Sequence, residues 1–167
     1  MDFFIDRVVS PLGTVLLVSD GQCLRALDFD DYEPRLQQLL ARYYGEVSLR
    51  PASDPGGAST AVQAYFAGKL NALDNIPVAS HGSAFQQQVW RSLRDIPCGT
   101  TISYGELAKR IGNPAASRAV GLANGANPIA IAVPCHRVIG ANGNLTGYGG
   151  GLERKRWLLQ HEGALLL

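Results

Sequence analysis

The chain is organised around the stretch Asn127-Pro128-Ile129-Ala130-Ile131-Ala132-Val133-Pro134-Cys135-His136-Arg137-Val138-Ile139-Gly140. Its apolar run, residues 129–133, is predicted to enter the core as a buried strand or an extended segment. Pro134 then fixes φ at about −65° and removes a backbone donor, so Cys135 emerges at a defined place. Most cysteines act only as small hydrophobic residues, but this one lies where an apolar segment ends and a histidine follows.

Cys135 is therefore a candidate nucleophile. A thiol with a pKa of about 8.5 is only a few per cent thiolate at neutral pH, so it needs a base or a positive charge nearby. His136 is adjacent and Arg137 follows, and both residue types activate thiols. Neighbouring side chains on an extended segment point apart. We therefore expect His136 to act through a bridging water, or after the chain turns.

A histidine that acts as a base needs a third group to fix its tautomer. The acids available in residues 81–167 are Asp95, Glu106, Glu153 and Glu162. Glu153 is assigned to a solvated helical face together with Arg154, Lys155 and Arg156. Glu162, at the end of the helix that contains Trp157, is the better candidate.

A glycine-rich loop follows the candidate nucleophile. Asn142-Gly143 is typical of a hairpin turn, and residues 146–151, Thr-Gly-Tyr-Gly-Gly-Gly, leave the backbone largely bare of side chains. Backbone N–H and C=O groups there are predicted to bind a flat ligand, with Tyr148 as a stacking face. The alternative is a flexible connector. Phosphate binding is disfavoured, because no lysine follows in the P-loop arrangement.

Residues 103–125 predict a helix-turn-helix. Ser103 is expected to cap the first helix. The second helix is predicted over Ala115 to Asn124, with Asn113 as its N-cap and Pro114 as its first residue. Two glycines are expected to end the two helices: Gly112 and Gly125.

The second of these helices consists almost entirely of small residues, and Arg118 is its only charged side chain. Such a helix can approach a nucleic-acid groove closely while projecting one long cationic side chain. The alternative is tight packing between helices, with Arg118 reaching solvent.

The first half of the chain is predicted to be a small α/β scaffold without a catalytic feature. Residues 3–9, 14–19 and 23–29 are β-branched and aromatic runs separated by turn residues, which predicts a β-meander with Cys23 inside its third strand. Pro34 suits the start of a helix whose leucines recur at helical spacing. The chain is predicted to divide into residues 1–75, a linker at 76–83 and residues 84–167, whose first helix Ser83 would cap.

The composition indicates a soluble globular protein of the cytoplasm. Of 167 residues, 46% are hydrophobic and 17% are charged, which argues against disorder. No apolar run approaches the roughly 20 residues that cross a bilayer, and the N-terminus lacks the basic start of a secretory signal. Three widely spaced cysteines without a CxxC pair disfavour a disulfide framework or a structural zinc site. We expect no metal and no membrane partner.

Charge is distributed unevenly along the chain. Residues 1–80 carry ten acidic and six basic side chains, whereas residues 81–167 carry four acidic and nine basic ones. A polyanion would prefer the second part. The alternative is chance together with one basic helix.

Taken together, these features resemble the O6-methylguanine-DNA methyltransferases. The stretch from Asn127 to Gly140 is similar to the active-site signature of that family. Flanking pieces agree: Phe85-Gln86, Val89-Trp90, Ile96-Pro97, Ser103-Tyr104-Gly105, Arg118-Ala119-Val120-Gly121, Leu145-Thr146-Gly147-Tyr148, Trp157-Leu158-Leu159 and His161-Glu162-Gly163. The resemblance covers residues 84–163 closely and residues 1–75 more loosely, through Ser10-Pro11-Leu12-Gly13 and Tyr65-Phe66-Ala67-Gly68.

The resemblance implies a fold and a reaction. The N-terminal domain would be ribonuclease H-like, a small antiparallel sheet plus helices, and the C-terminal domain mostly helical, with its helix-turn-helix in the minor groove. Cys135 would accept the alkyl group from guanine O6, and His136 with a water would deprotonate it. Glu162 would orient the histidine, and Asn127 would brace the active-site segment.

The resemblance also implies how DNA and the flipped base are held. Arg118 would fill the gap left by the base, and Tyr104 would help to rotate the 3′ phosphate. Ala119 and Gly121 belong to the same DNA-binding helix. The guanine pocket would be formed by three residues: Val138, Tyr148 and Gly149.

Two departures accompany the resemblance. Some members have a hydroxyl-bearing residue where Gly149 stands, so side-chain recognition of O6 at this position is in doubt and the pocket is expected to be roomier. The zinc ligands of some relatives have no clear counterpart here, and the family's reaction needs no cofactor.

The predicted function is therefore direct-reversal DNA repair. One alkyl group would pass irreversibly from O6-methylguanine in double-stranded DNA to Cys135, with O4-methylthymine as a second candidate substrate. We expect a monomer, with cooperative binding along DNA left open. The sequence alone leaves two alternatives open. One is a Cys-His-Glu hydrolase that turns over, and the other is a non-catalytic helix-turn-helix protein that binds or senses DNA lesions.

Overall fold

The computed structural model describes residues 1–165, so the last two residues of the predicted range 84–167 lie outside it. Contacts divide the chain into two units. The first is Met1–His81 with Pro128–Ala132, and the second is Gly82–Asn127 with the chain from Val133 onward. Within residues 1–165, no helix is both long enough and apolar enough to cross a membrane.

The first unit contains four strands and two α-helices. In chain order they are β1 Asp2–Ser10, β2 Gly13–Ser19, β3 Leu24–Phe29, α1 Glu33–Tyr44, β4 Ser48–Pro51 and α2 Ala58–Phe66. The strands form one sheet in the order β3-β2-β1-β4. The predicted antiparallel arrangement holds for β1, β2 and β3, but β4 pairs with β1 in parallel. The sheet is therefore mixed. The parallel strand β4 requires a crossover connection, and α1, which directly precedes β4, forms part of it.

The core of this unit lies between the sheet and α1. Leucines of α1 pack on alternate residues of the strands, in a cluster made of Phe3, Leu16, Val18, Ala26, Leu36 and Leu40. The helix α2 packs against β1 and β2. This burial supplies the main driving force for folding of the unit.

The two-residue hairpin turn that an Asp-Gly pair favours does not form at Asp20-Gly21. The Asp20 carboxylate accepts hydrogen bonds from the backbone N–H groups of Gln22 and Cys23, at 2.8 and 2.7 Å. These bonds stabilise a longer connection. The third strand therefore begins at Leu24, and Cys23 lies outside it.

The second unit is mostly helical. Its elements are α3 Ala84–Arg94, β5 Ile102–Ser103, α4 Tyr104–Arg110, α5 Ser117–Gly125, β6 Val138–Ile139 and α6 Leu152–His161. The predicted cap of α3 is confirmed: Ser83 Oγ accepts from the backbone N–H of Gln86, and Gln86 Oε1 accepts from that of Ser83. This reciprocal pair satisfies two helix-terminal donors. Ser103 caps α4 in the predicted way, accepting from the Glu106 N–H at 3.0 Å.

The helix-turn-helix is present as α4 and α5, but the predicted start of α5 is wrong. The Ala116 N–H donates to the Asn113 carbonyl at 3.0 Å, which closes a turn instead of starting a helix. The helix begins at Ser117 without a side-chain cap. Gly112, with φ of 79°, ends α4. Gly125 is helical, and α5 stops at Ala126.

Candidate active site

The segment before Cys135 is buried but is not a strand. Ile131 has φ of 70°, and the Ala132 N–H donates to the Ala130 carbonyl at 2.8 Å. This tight turn removes the segment from regular pairing, leaving one bridge between Ile129 and Leu27. Such a φ is uncommon for a β-branched residue.

Cys135 begins a short 3-10 helix, Cys135–Arg137. The Arg137 N–H closes this turn on the Pro134 carbonyl at 3.0 Å. Because the chain turns here, the side chains of Cys135 and His136 are not forced apart as they would be on a strand. Cys135 is 7% exposed.

Two asparagines from the end of α5 brace this segment. Asn127 Nδ2 donates to the Val133 carbonyl at 2.8 Å. Asn124 Nδ2 donates to the Cys135 carbonyl at 3.4 Å. Both bonds fix the backbone on the two sides of Pro134. Asn127 was singled out from the sequence; Asn124 was not.

His136 and Glu162 lie in contact inside the unit. His136 Nε2 is 2.8 Å from Glu162 Oε2, and both side chains are fully buried. His136 Nδ1 is buried and has no hydrogen-bond partner among residues 1–165. When Nε2 carries the proton that bonds the carboxylate, Nδ1 keeps its lone pair and can accept a proton.

Arg137 completes this buried group, a role that sequence reasoning missed. Its Nε donates to Glu162 Oε1 at 2.8 Å and its Nη2 to Oε2 at 3.1 Å. Its Nη1 donates to the Ile96 carbonyl at 2.7 Å. The signal was available, because an arginine inside a buried segment needs a carboxylate partner.

The charges of the group follow from these contacts. Burial raises the pKa of Glu162, but hydrogen bonds and charge from His136 and Arg137 outweigh it and hold that pKa well below its usual range. Burial lowers the pKa of His136, helped by the charges of Arg137 and Lys155 and opposed by Glu162. At neutral pH, Glu162 is therefore an anion paired with Arg137, and His136 is neutral.

Lys155 contradicts the prediction of a solvated face. It is fully buried, whereas Glu153 beside it in α6 is exposed. Its Nζ donates to the carbonyls of Val138 and Thr146, at 2.6 and 2.7 Å. A short run of charges in the sequence gives no sign that one of them turns inward.

The glycine-rich loop follows β6, the strand that contains Val138, a hydrogen-bond partner of Lys155. The predicted turn is present: the Gly143 N–H donates to the Gly140 carbonyl, and Gly143 has φ of 82°. Tyr148 is half-buried with its hydroxyl oxygen inside the protein, and Gly149 is exposed.

The outer face of α5 carries the residues singled out for DNA contact. Arg118 and Ala119 are exposed, while Val120 and Ala123 face inward. A Cβ on Gly121 would lie 3.9 Å from the ring of Tyr104, whose hydroxyl donates to the Thr146 carbonyl at 3.3 Å.

Trp90 ties α3 to α5, because its indole N–H donates to the Ala123 carbonyl at 2.9 Å. No group of three or more histidine, cysteine, aspartate or glutamate residues suited to a metal ion occurs within residues 1–165.

Acidification is expected to destabilise the protein in two steps. The folded pKa values of His136 and Glu162 lie below their ordinary values of 6.5 and 4.5. The unfolded chain therefore binds more protons as the pH falls, so stability is lost with decreasing pH. Melting temperatures measured across the acid range should decline first below about pH 6.5 and more steeply below about pH 4.5. A flat profile between neutrality and pH 5 would contradict the assignment of a neutral buried His136.

The family profile of the 6-O-methylguanine DNA methyltransferase DNA binding domain matches residues 84–164, and that of the family's ribonuclease-like domain matches residues 8–80. The methylated-DNA–protein-cysteine methyltransferase of Shigella flexneri is 50% identical over 165 residues, which is 97% of this chain and 96% of the relative. Its counterpart in Methanosarcina acetivorans is 48% identical over 155 residues, covering 93% and 95%.

Solved structures agree with the fold. Mycobacterium tuberculosis OGT in complex with DNA matches with a TM-score of 0.80 and 43% identity, over 98% of this chain and 94% of that one. The O6-methylguanine-DNA methyltransferase of Pyrococcus kodakaraensis matches with a TM-score of 0.76 and 28% identity, over 96% and 99%. The predicted two-domain fold class and the predicted resemblance are confirmed. This chain belongs to the 6-O-methylguanine DNA methyltransferase family.

Proposed function

We propose that this protein repairs double-stranded DNA by moving the alkyl group of O6-methylguanine onto its own Cys135. One observation carries the proposal. Cys135 is fixed at the start of a buried turn whose next residue, His136, bonds Glu162 at 2.8 Å. The same unit presents an exposed, small-residue helix of the kind that approaches a DNA groove. Cys135 is thus a rigidly positioned nucleophile in the unit that carries the DNA-binding surface.

The chemistry uses the chain's own groups. A water passes the proton of the Cys135 thiol to His136 Nδ1, while Glu162 holds the opposite ring nitrogen. The sulfur attacks the alkyl carbon, so the S–C bond forms as the C–O6 bond breaks. The electron pair of that bond stays with guanine, which is restored when it takes up, through water, the proton that His136 received. The ion pair with Arg137 keeps Glu162 ionised throughout.

The product is a thioether on Cys135. A thioether carbon is a poor target for water, and the described residues offer no second thiol at this turn to remove the alkyl group. Each protein molecule therefore acts once. O4-methylthymine presents a related alkylated oxygen and is a second candidate substrate.

The remaining residues are assigned to base and DNA binding. The alkylated base lies inside the duplex and must be flipped, at a cost of a few kcal/mol. Arg118 fills the gap, Tyr104 helps to rotate the 3′ phosphate, and Ala119 and Gly121 allow α5 to approach the minor groove. The flipped guanine is held by Tyr148 and the backbone at Val138 and Gly149. The exposed Arg118 and the support of Tyr104 by Thr146 favour this assignment.

The protein is further proposed to act as a cytoplasmic monomer with domains at residues 1–75 and 84–167 joined by a linker at 76–83. No disulfide is formed by the cysteines at positions 23, 98 and 135 of the described chain, which suits a reducing compartment. The second half of the chain has an excess of basic side chains, which suits a DNA partner.

Arg118→Ala is expected to slow repair of duplex DNA by about tenfold or more. In the wild type, Arg118 would offset part of the few kcal/mol that flipping the base costs, and losing that contribution has an effect of this size. Reaction with free O6-benzylguanine should stay near the wild-type rate, because no base has to be flipped. Single-turnover rates on the two substrates check this. Equal losses on both would contradict the proposal that Arg118 fills the gap left by the flipped base.

The proposal is tested by incubating the protein with a duplex oligonucleotide containing O6-methylguanine and measuring the mass of the Cys135 peptide. We expect a methyl group on Cys135 and an equal loss of the lesion. Repeated turnover with an unmodified Cys135 would support the hydrolase alternative. Lesion binding without any modification would support a lesion-binding protein.

A further inference from the structure

Asn124 is a buried polar side chain to which the proposed reaction assigns no chemical role. It lies near the end of α5 and is only 4% exposed. Its Nδ2 donates to the Cys135 carbonyl at 3.4 Å, so the amide side chain lies against the peptide that joins Cys135 to His136. The carbonyl of the preceding residue, Ala123, accepts the indole N–H of Trp90 at 2.9 Å, which holds this end of the helix in place.

Two buried acceptor atoms at this peptide have no hydrogen-bond partner within residues 1–165. One is Asn124 Oδ1 and the other is His136 Nδ1. The donation from Nδ2 to a carbonyl fixes which end of the Asn124 amide is the oxygen, because a carbonyl cannot donate. The bond of His136 Nε2 to the Glu162 anion likewise leaves Nδ1 as an acceptor. Leaving a buried polar atom unpaired is unfavourable, and in native proteins an ordered water commonly joins such atoms.

One water can satisfy both acceptors. It has two hydrogens to donate, one to Asn124 Oδ1 and one to His136 Nδ1, and its oxygen can accept a third bond from the Cys135 thiol. Three hydrogen bonds are about the usual number for a buried water. The water that the proposed reaction places between Cys135 and His136 would therefore have Asn124 as a fixed third partner.

We propose that Asn124 is a positioning residue, whose Oδ1 anchors the water that carries the proton from Cys135 to His136. Before the transfer, the water accepts from the thiol and donates to Nδ1 and to Oδ1. After the transfer, it accepts from the protonated Nδ1 and donates to the thiolate sulfur and to Oδ1. One proton leaves the sulfur and one arrives at Nδ1, while the bond to Asn124 keeps its direction. This inference rests on the proposed function for its consequence, because the sulfur that loses the proton is the alkyl acceptor.

The first test is a crystal structure of the unreacted protein at high resolution. We expect one ordered water within about 2.7–3.2 Å of both Asn124 Oδ1 and His136 Nδ1. A water that contacts Nδ1 but not Oδ1, or the lack of an ordered water at Nδ1, would overturn the proposal. The measurement needs neither DNA nor a variant, so its outcome does not depend on whether the protein repairs O6-methylguanine.

The second test measures how fast iodoacetamide, a small neutral electrophile, alkylates Cys135 at different pH values, with the mass of the Cys135 peptide as the readout. Asn124→Leu removes both polar atoms of the side chain and keeps its size. We expect this variant to react about tenfold more slowly at pH 7, which is part of the roughly 10²–10⁴ that a positioned base contributes. Above about pH 10 a thiol ionises without help, so the rate should approach that of the wild type.

Asn127→Leu is the matched control, because Asn127 Nδ2 braces the Val133 carbonyl at 2.8 Å from the same end of α5. Losing a brace only displaces the backbone, so any slowing in this variant should be by the same factor at pH 7 and at pH 10. Neither substitution changes a charge, so the charged groups of the site affect all three profiles alike.

A slowing of Asn124→Leu by one constant factor at both pH values would make Asn124 a second brace and would overturn the proposal. An unchanged rate at pH 7 would also overturn it. If Asn124→Leu fails to fold, the crystal structure of the wild type still decides.

Discussion

Replacing Cys135 with alanine is expected to abolish alkyl transfer from both duplex DNA and free O6-benzylguanine. The Cys135 thiolate is the proposed acceptor, and alanine offers no atom that can form the new bond. Affinity for duplex DNA should remain near the wild-type value, because the proposed DNA-contacting residues of α5 are unaltered. Cys135 is only 7% exposed, and alanine fits its space. Transfer assays and fluorescence anisotropy on the same preparation measure the two properties.

Cys98→Ala is the matched control. Cys98 follows α3 and is half-buried, outside the turn that holds Cys135. It should keep full transfer activity. Residual transfer in Cys135→Ala, or loss of transfer in Cys98→Ala, would place the acceptor elsewhere.

The second large effect is expected from Glu162→Gln. The carboxylate pairs with Arg137 through two hydrogen bonds and fixes His136 through a third. Removing one partner of a buried ion pair costs about 3–5 kcal/mol, because the other charge remains buried. His136 also loses the acceptor that sets its tautomer, which would weaken it in its proposed role as the base. We expect both a large fall in unfolding free energy and a reduced rate with O6-benzylguanine.

Glu153→Gln separates these effects from a general change in α6. Glu153 lies in the first turn of the same helix and is exposed. Its loss should cost only a few tenths of a kcal/mol through the helix dipole, with no change in the transfer rate. Denaturant unfolding and single-turnover kinetics measure both variants. If the two variants proved equally stable, the buried network would not stabilise the unit as described.

Local chemistry made part of this fold predictable from sequence. Ser83 and Ser103 stand directly before their helices. Because the first turn of a helix has backbone N–H groups without a partner, the sequence predicts that each serine oxygen accepts one of them. The β-meander followed from runs of β-branched residues. The start of α5 could not be predicted in this way, because the turn closed by Ala116 on Asn113 competes with the helix cap that Asn113 could provide.

The sequence predicted which residues form the site but not most of the contacts between them. Cys135 and His136 are neighbours in sequence, and Glu162 was chosen by elimination and family resemblance. A buried arginine signals that some carboxylate partner exists, but no local pattern identifies Glu162, which lies 25 positions from Arg137. Lys155 shares a charged run with exposed neighbours, and only the tertiary packing of α6 shows that it turns inward.

Acceptance of one alkyl group by Cys135 in each protein molecule is the core of the proposed function. It is tested most directly by titrating a fixed excess of duplex O6-methylguanine with increasing amounts of protein and counting lesions removed at completion. We expect a straight line on which the number of lesions removed equals the number of protein molecules added, with every reacted molecule carrying its methyl group on Cys135. Removal of more lesions than protein molecules present would contradict it.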